Sequence, residues 1–186
     1  MKTAARRRSE KYLACSEQRI EPGCGLRGRS TRGITRGVMR VEVAVTDAQI
    51  EACYPAMREL RPHLQREAFV DIVRDMQRDG YTLAYLAPSG TVVGVTGFRI
   101  KRTLFCDKFL YVDDLVTVSG ERSKGYGRIV LDWLKERARA EGCAELRLDS
   151  GIQRKDAHRF YQRNDVAIVA YHFRSELEAR VPWSRR

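Results

Sequence analysis

The sequence lacks the features that mark membrane, secreted and zinc-binding proteins. Its apolar runs fall short of the roughly 20 residues that a membrane-spanning helix needs, and no apolar stretch follows the basic residues 1–8, as a secretory signal would require. The five cysteines are odd in number and scattered without a C-x-x-C pair, which argues against a disulfide framework and against a zinc site. We therefore expect a cytoplasmic protein with one main domain, no metal and no membrane partner.

Positive charge is concentrated at the start of the chain. The net charge is +11, and residues 1–38 hold ten Lys and Arg against three Asp and Glu, which is +7. These residues are rich in glycine and poor in large apolar side chains, so they cannot bury enough surface to offset the entropy of ordering. We predict a disordered Arg/Gly-rich extension over 1–38 and a folded domain over 39–186.

Two interpretations of the extension stay open. A basic arm binds nucleic acid by releasing counterions, and nucleic acid would then be a partner through residues 1–38 alone. The alternative is that the extension is not part of the native protein, because Met39 stands directly before the first predicted strand. The second interpretation is favoured, since Tyr12 is the only aromatic residue among the basic ones.

Hydrophobic periodicity predicts an α/β fold after Met39. The expected order is a strand at 41–45, a helix ending near Leu60, a helix at 66–78, strands at 81–87, 92–101 and 105–118, a helix ending near Ala140, a strand at 146–149, a helix carrying Tyr161 and a last strand at 166–173. A tight turn must follow the last helix, and we expect Asn164 to adopt the left-handed conformation there.

The turn after the long strand is the clearest ligand site in the sequence. It reads Arg122-Ser-Lys-Gly-Tyr-Gly127 and opens an amphipathic helix. Backbone N–H groups at a helix N-terminus are unpaired and favour an anion. Gly125 and Gly127 permit close approach to the main chain, and Arg122, Lys124 and Arg128 add positive charge. The spacing fits neither a Walker loop nor a dinucleotide fingerprint. We predict a pyrophosphate site.

Arg122-x-x-Gly125-x-Gly127 resembles the acetyl-CoA signature of the GNAT superfamily of N-acetyltransferases. The later pattern Ala157-x-x-x-Tyr161 is similar to the family's A-x-x-x-Y, and the resemblance covers about 39–173. It implies the GNAT fold, a mixed central sheet flanked by helices. It also implies direct transfer of an acetyl group from acetyl-CoA to a primary amine of a small molecule or protein. A homodimer stays open.

The resemblance also implies where the donor binds. Backbone groups of Leu115 and Thr117 are expected to pair with the acetyl and pantetheine groups, and the N–H groups of 123–128 to hold the pyrophosphate. Arg154 stands where the family often has an asparagine, and it is a further candidate for the cofactor. The predicted cofactor-binding residues are Leu115, Val116, Thr117, Val118, Arg122, Ser123, Lys124, Gly125, Tyr126, Gly127, Arg128 and Arg154.

Tyr161 is the predicted general acid, because the resemblance places the family's proton-donating tyrosine here. A phenol, with an ordinary pKa of about 10, still carries its proton when a thiolate departs; the alternative is a core tyrosine. Asp113 and Asp114 are the candidate general bases, with Asp149 in reserve. Adjacent strand residues face opposite sides unless a bulge intervenes, so Asp113, expected to share a face with Leu115, is chosen first. The alternative is that these carboxylates only bond the backbone where strands separate.

Aromatic and acidic side chains are expected to line the acceptor side and to hold a cationic amine, such as a lysine side chain, a polyamine or an aminoglycoside. The residues expected there, with Asp113 and Asp114, are Tyr54, Tyr81, Phe98 and Phe105. Two rival functions stay open: a non-catalytic acyl-CoA-binding regulatory module of the same fold, and a nucleic-acid-binding protein that uses the basic arm.

Overall fold

The computed structural model of the protein describes residues 39–177, so the predicted extension over 1–38 lies outside the described residues. The strands are β1 (Val41–Val43), β2 (Thr82–Leu86), β3 (Gly94–Arg102), β4 (Lys108–Thr117) and β5 (Glu145–Leu148). The helices are α1 (Asp47–Leu60), α2 (Arg66–Arg78), α3 (Tyr126–Ala140) and α4 (Lys155–Arg163). No helix in this part of the chain is long and apolar enough to cross a membrane.

The five strands form one mixed sheet in the order β1-β2-β3-β4-β5. Neighbouring strands from β1 to β4 are antiparallel, and β5 runs parallel to β4. The parallel ladder covers only residues 109–112 of β4, which continues to Thr117. In the described part of the chain, residues 113–117 therefore have a neighbouring strand on one side only. An open strand edge is able to pair with an extended ligand.

Helices cover both faces of this sheet. α1 and α2 pack on one face around Ile50, Phe69 and Val95, and α3 packs on the other around Phe98 and Leu134. The two clusters form because strand residues alternate between the faces and each helix buries one apolar stripe. The prediction of an α/β fold with a mixed central sheet flanked by helices is confirmed.

A β-bulge in β4 sets the direction of its acidic pair. The register between β3 and β4 shifts after Val112, and Asp113 is the extra residue. Val112 and Leu115 both pack against the α3 cluster, although strict alternation would separate them. The side chains of Asp113 and Asp114 both lie on the opposite face, where each contacts an arginine. The expectation that Asp113 shares a face with Leu115 is wrong, because the bulge interrupts the alternation.

The turn after α4 also differs from the expectation. The N–H of Val166 donates to the carbonyl of Tyr161 at 3.0 Å, and the N–H of Asp165 donates to the carbonyl of Gln162 at 3.3 Å. This is a Schellman motif. The left-handed residue is Asp165, with φ of 59°, because Asn164 serves as the C-cap with φ of −113°.

The last predicted strand, 166–173, is not present. Residues 166–177 form no strand in the described part of the chain, and Ile168, Val169 and Phe173 are exposed. Residues 166–171 are all apolar or aromatic, as in a strand, but a strand must also pair with a neighbouring strand. β5 pairs with β4 through only four residues, and residues 164–177 form no ladder with it.

Gly97 is required because the ring of Tyr81 lies against it. A Cβ at Gly97 would stand 1.8 Å from the Tyr81 hydroxyl, whereas a Cβ at Gly94, in the same strand, would have its nearest neighbour at 3.5 Å. We predict that Gly97→Ala lowers the free energy of unfolding by about 1–3 kcal/mol through overpacking. The control Gly94→Ala should change it by less than about 1 kcal/mol. Urea unfolding followed by circular dichroism measures both, and equal losses would contradict the steric argument.

Candidate active site

The loop between β4 and α3 presents a row of backbone N–H groups. A 3-10 turn at Ser119–Glu121 leads to Ser123, with φ of 63°, and Gly125, with φ of 87°, both in the left-handed region. Among residues 39–177, none of the N–H groups of residues 123–127 donates a hydrogen bond to the protein. The N–H of Arg128, expected in the same row, donates instead to the carbonyl of Gly125 at 3.1 Å. The N–H groups of 123–127 lie at the N-terminus of α3, where the helix dipole favours an anion. The loop therefore has the geometry of a phosphate-binding site.

Side chains of this loop contact other parts of the same chain and fix the loop in place. The Nε of Arg122 donates to the carbonyl of Thr117 at 3.2 Å, and its Nη2 lies 3.6 Å from the carboxylate of Glu59 on α1. The same carboxylate accepts the N–H of Ser119 at 2.9 Å. Lys124 forms an ion pair of 2.9 Å within the loop. The loop is thus positioned by α1 and by the end of β4.

The helix α4 approaches the start of α3 at Gly127. A Cβ there would lie 3.4 Å from Thr117 Oγ1 and 3.5 Å from the ring of Phe160, so the absence of a side chain permits this close approach. The Nζ of Lys135 on α3 donates to the carbonyl of Asn164 at 2.6 Å and holds the end of α4. These contacts bring the helix that carries the predicted acid to the end of β4.

Tyr161 is half-buried on α4. Its ring packs edge-on against Phe160, with 5.4 Å between centroids, and its hydroxyl makes no hydrogen bond to any residue in the described part of the chain. Burial raises the pKa of Tyr161 above its ordinary value of 10.0, and the positive charge of Arg154 offsets part of that effect. The phenol therefore carries its proton at neutral pH, as a general acid must, and Arg154 lies near it.

Asp114 is buried in a hydrogen-bond network on the α1 face. The residue is 8% exposed, and its carboxylate accepts Nε of Arg61 at 2.9 Å on one oxygen and the Tyr81 hydroxyl at 2.9 Å on the other. Its backbone carbonyl accepts the hydroxyl of Thr96 at 2.9 Å. Burial and the carboxylate of Asp114 both raise the pKa of Tyr81. Both carboxylate oxygens are engaged by protein donors.

Asp113 is more accessible and has a different partner. Its carboxylate accepts Nη1 of Arg99 at 2.6 Å, and its backbone carbonyl accepts Nη2 of Arg61 at 3.1 Å. Burial raises the pKa of Asp113, and the Arg99 guanidinium offsets part of the rise. A carboxyl with a raised pKa is better matched to proton transfer near neutral pH. Of the two adjacent carboxylates, Asp113 is the more exposed, with 21% of its side chain accessible against 9% for Asp114.

Asp149, the reserve candidate, lies just after β5 and is already paired. It accepts the hydroxyl of Tyr111 at 2.5 Å and lies 2.8 Å from Nδ1 of His172. Burial and the Asp149 carboxylate raise the pKa of Tyr111. Asp149 therefore joins β4, β5 and the chain after α4, and both contacts engage the same carboxylate oxygen.

The aromatic residues expected on the acceptor side do not lie there together. Tyr54, Tyr81 and Phe98 are at most 6% exposed and belong to the core, whereas Phe105 is 87% exposed. Phe98 lies on the opposite face of the sheet, where it packs edge-on against Trp133 with 5.8 Å between centroids. An aromatic cage around a cationic amine is therefore not formed by these side chains.

Two arginines beside the acidic pair were missed by the sequence analysis. Arg61 follows α1 and Arg99 lies on β3, and their guanidinium groups reach Asp114 and Asp113. Neither arginine belongs to a motif with fixed spacing. Their positions follow from the bulge, which turns both carboxylates to one face, and a bulge is a property of strand pairing that periodicity does not show.

The open edge of β4 and the loop amides line neither of two hollows in the structure. These hollows, of about 710 Å³ between β1 and α3 and about 320 Å³ beside β2, are formed by other residues. Within residues 39–177 no group of three or more His, Cys, Asp or Glu side chains converges as it would around a metal ion. The arrangement combines the free edge of β4 with the loop amides, which suits an extended ligand that ends in an anion.

The sequence is similar to those of proteins named as N-acetyltransferases. It is 37% identical over 126 residues to the uncharacterized N-acetyltransferase YhdJ of Bacillus subtilis (strain 168), covering 67% of this chain and 89% of that one. It is 29% identical over 110 residues to the aminoalkylphosphonate N-acetyltransferase of Salmonella typhimurium, covering 54% and 71%. The fold matches that of an aminoglycoside N-acetyltransferase in complex with CoA, with a TM-score of 0.67, 14% identity and coverage of 78% and 99%.

The sequence model of the acetyltransferase (GNAT) family matches residues 45–165. That range includes the loop with its free N–H groups, the acidic pair of β4 and the tyrosine of α4. The family match, the two N-acetyltransferase relatives and the mixed sheet agree with one another. This chain therefore belongs to the GNAT family of acetyltransferases and is an acyltransferase.

Proposed function

We propose that this protein moves an acetyl group from acetyl-CoA to a primary amine by direct transfer. The observation that carries the proposal is the row of free N–H groups at 123–127, next to a strand whose edge is open over 113–117. Acetyl-CoA has an extended pantetheine arm followed by a pyrophosphate. The arm matches the open edge of β4, and the pyrophosphate matches the free N–H groups of the loop that follows. The structural neighbour in complex with CoA supports the same donor.

The donor is proposed to lie along β4 and into the loop. Backbone groups of Leu115 and Thr117 pair with the acetyl and pantetheine groups, and the N–H groups of 123–127 bind the pyrophosphate. Arg128 makes an exposed ion pair of 3.5 Å with Asp132, and Arg154 is exposed; both are proposed to add positive charge near the phosphates. Arg122 contributes by holding the loop, since its guanidinium bonds the carbonyl of Thr117.

The chemistry requires a proton acceptor for the amine and a proton donor for the thiolate. The amine nitrogen attacks the thioester carbon, a C–N bond forms, and the C–S bond breaks as the tetrahedral intermediate collapses. We assign Asp113 as the group that takes the amine proton. Asp114 keeps the bulge in place through Arg61, and Tyr161 gives its proton to the CoA thiolate.

The acceptor is proposed to be a small-molecule amine in the cytoplasm. The Salmonella relative is named for its action on aminoalkylphosphonates, which are small amines, and the similarity extends over 110 residues of this chain. Turnover with release of free CoA thiol distinguishes this proposal from an acyl-CoA-binding module without catalysis, which would bind acetyl-CoA and release no thiol.

Gly125 provides the test of the donor site. A Cβ at Gly125 would meet no atom within 4 Å, but its φ of +87° strains any other residue, by about 1–2 kcal/mol. Gly125→Glu would add a negative charge at the free N–H groups. We predict at least a tenfold loss of acetyl-CoA affinity in calorimetry. Gly125→Ala, with the same strain and no charge, should lose much less, and Gly120→Glu, in the open part of the loop, should bind as the parent does. Unchanged affinity in a folded Gly125→Glu variant would refute the site.

Tyr161 provides the test of the acid. Tyr161→Phe keeps the ring and its packing, so acetyl-CoA affinity should be unchanged. Because the thiolate loses its proton donor, kcat and kcat/KM should fall together by about 10²–10⁴-fold. Tyr171→Phe, at an exposed tyrosine after α4, is the control and should be neutral. A Tyr161→Phe enzyme as fast as the parent, with chemistry shown to limit the rate, would remove this residue from the mechanism.

A further inference from the structure

The face of the sheet on which α1 and α2 pack also carries a group of cationic and aromatic side chains. Arg99 pairs across the strands with Tyr111, and Lys101 pairs with Phe109. Tyr111 in turn lies opposite Arg147 in the parallel ladder. Paired residues in a sheet share a face, so these five side chains lie on one side. The intervening residues of β3 and β4 pack against α3 on the other side.

The cations on this face have different partners. Arg99 is fixed between the carboxylate of Asp113, at 2.6 Å, and the ring of Tyr81, 5.0 Å from its centroid. Arg147 pairs with a carboxylate on its own strand at 2.7 Å. Lys101 lies over the ring of Tyr111 at 4.2 Å and has no carboxylate within 4.0 Å among residues 39–177. Lys101 is therefore the cation on this face whose charge is not matched by a neighbouring carboxylate.

Lys101 lies close to the proposed base. Lys101 lies two positions after Arg99 along β3, which is about 7 Å in a strand, and Arg99 contacts the carboxylate of Asp113 directly. Arg61, which follows α1, donates to the backbone carbonyl of Asp113. Arg61 and Arg99 are each paired with a carboxylate, so in the described part of the chain the unmatched positive charge beside an amine held at Asp113 is that of Lys101. A second cationic group on the acceptor would be repelled, and an anionic group would be attracted.

We propose that the acceptor is an amine that carries an anionic group, a carboxylate or a phosphoryl group, and that Lys101 binds this group while Arg99 stays paired with Asp113. The inference rests on the proposed acetyl transfer. The amine and the anion are separated by a short carbon chain, in keeping with the strand spacing between Lys101 and Arg99. This replaces the earlier expectation of a purely cationic acceptor held by aromatic rings.

The first test compares matched acceptors with the full chain and saturating acetyl-CoA, measured by release of free thiol. The acceptors are β-alanine, phosphoethanolamine, propylamine and 1,3-diaminopropane. We expect kcat/KM at least tenfold higher for the two anionic amines than for propylamine, and lowest for the diamine. Comparing the two anionic amines shows which anion is preferred. A diamine or propylamine that matches the anionic amines would overturn the inference.

Failure of the inference and failure of the proposed function are distinguishable. If acetyl-CoA binds and none of the four amines is acetylated, the acceptor inference is overturned while the donor site stands. If acetyl-CoA does not bind in calorimetry, the proposed function itself is overturned, and the inference falls with it.

The second test removes the charge of Lys101. Lys101→Gln should raise KM for the anionic acceptor at least tenfold and change KM for propylamine much less, and Lys101→Arg should restore KM for the anionic acceptor. The matched control is Arg102→Gln, since Arg102 is the next residue of β3, is exposed, and makes only an exposed ion pair of 3.7 Å. Equal losses on charged and uncharged acceptors, or an unchanged KM for the anionic ones, would overturn the assignment of Lys101.

Discussion

The bulge at Asp113 is the constraint on which the site depends, and the buried carboxylate of Asp114 holds it. Arg61 and Tyr81 reach that carboxylate from α1 and from the start of β2, and Tyr81 passes over Gly97 to do so. The Arg61 side chain is 42% exposed and that of Asp114 only 9%, so removing the arginine would leave a buried carboxylate with fewer donors, which is destabilising. The network therefore ties the end of α1 to the middle of β4 at one point.

The bulge separates β4 into two parts with different tasks. Before it, residues 109–112 pair with β5 and close the sheet. After it, residues 113–117 have an open edge that leads into the loop with free N–H groups, which we propose as the donor site. The bulge also turns Asp113 toward Arg99, on the face that carries Lys101. One irregular residue thus connects the proposed donor groove with the proposed acceptor face.

Local features of the sequence predicted much of this structure. The order of elements through α4 follows from hydrophobic periodicity, and the loop follows from Gly125, whose positive φ of 87° needs glycine. Features that depend on strand pairing were not predicted. Regular alternation along β4 did not predict the bulge. The apolar residues 166–173 predicted a strand, but these residues pair with no strand in the described part of the chain. The core aromatics Tyr54 and Phe98 were taken for acceptor contacts, because composition does not distinguish a buried ring from one that lines a cleft.

The central claim is that the free N–H groups of the loop and the open edge of β4 hold the donor. The most direct measurement is the change in backbone amide NMR shifts when the isotope-labelled full chain is titrated with CoA. The account predicts the largest changes at the amides of 123–127, with further changes along 115–118. Unchanged loop amides, with shifts concentrated around Trp133 at the hollow between β1 and α3, would contradict it.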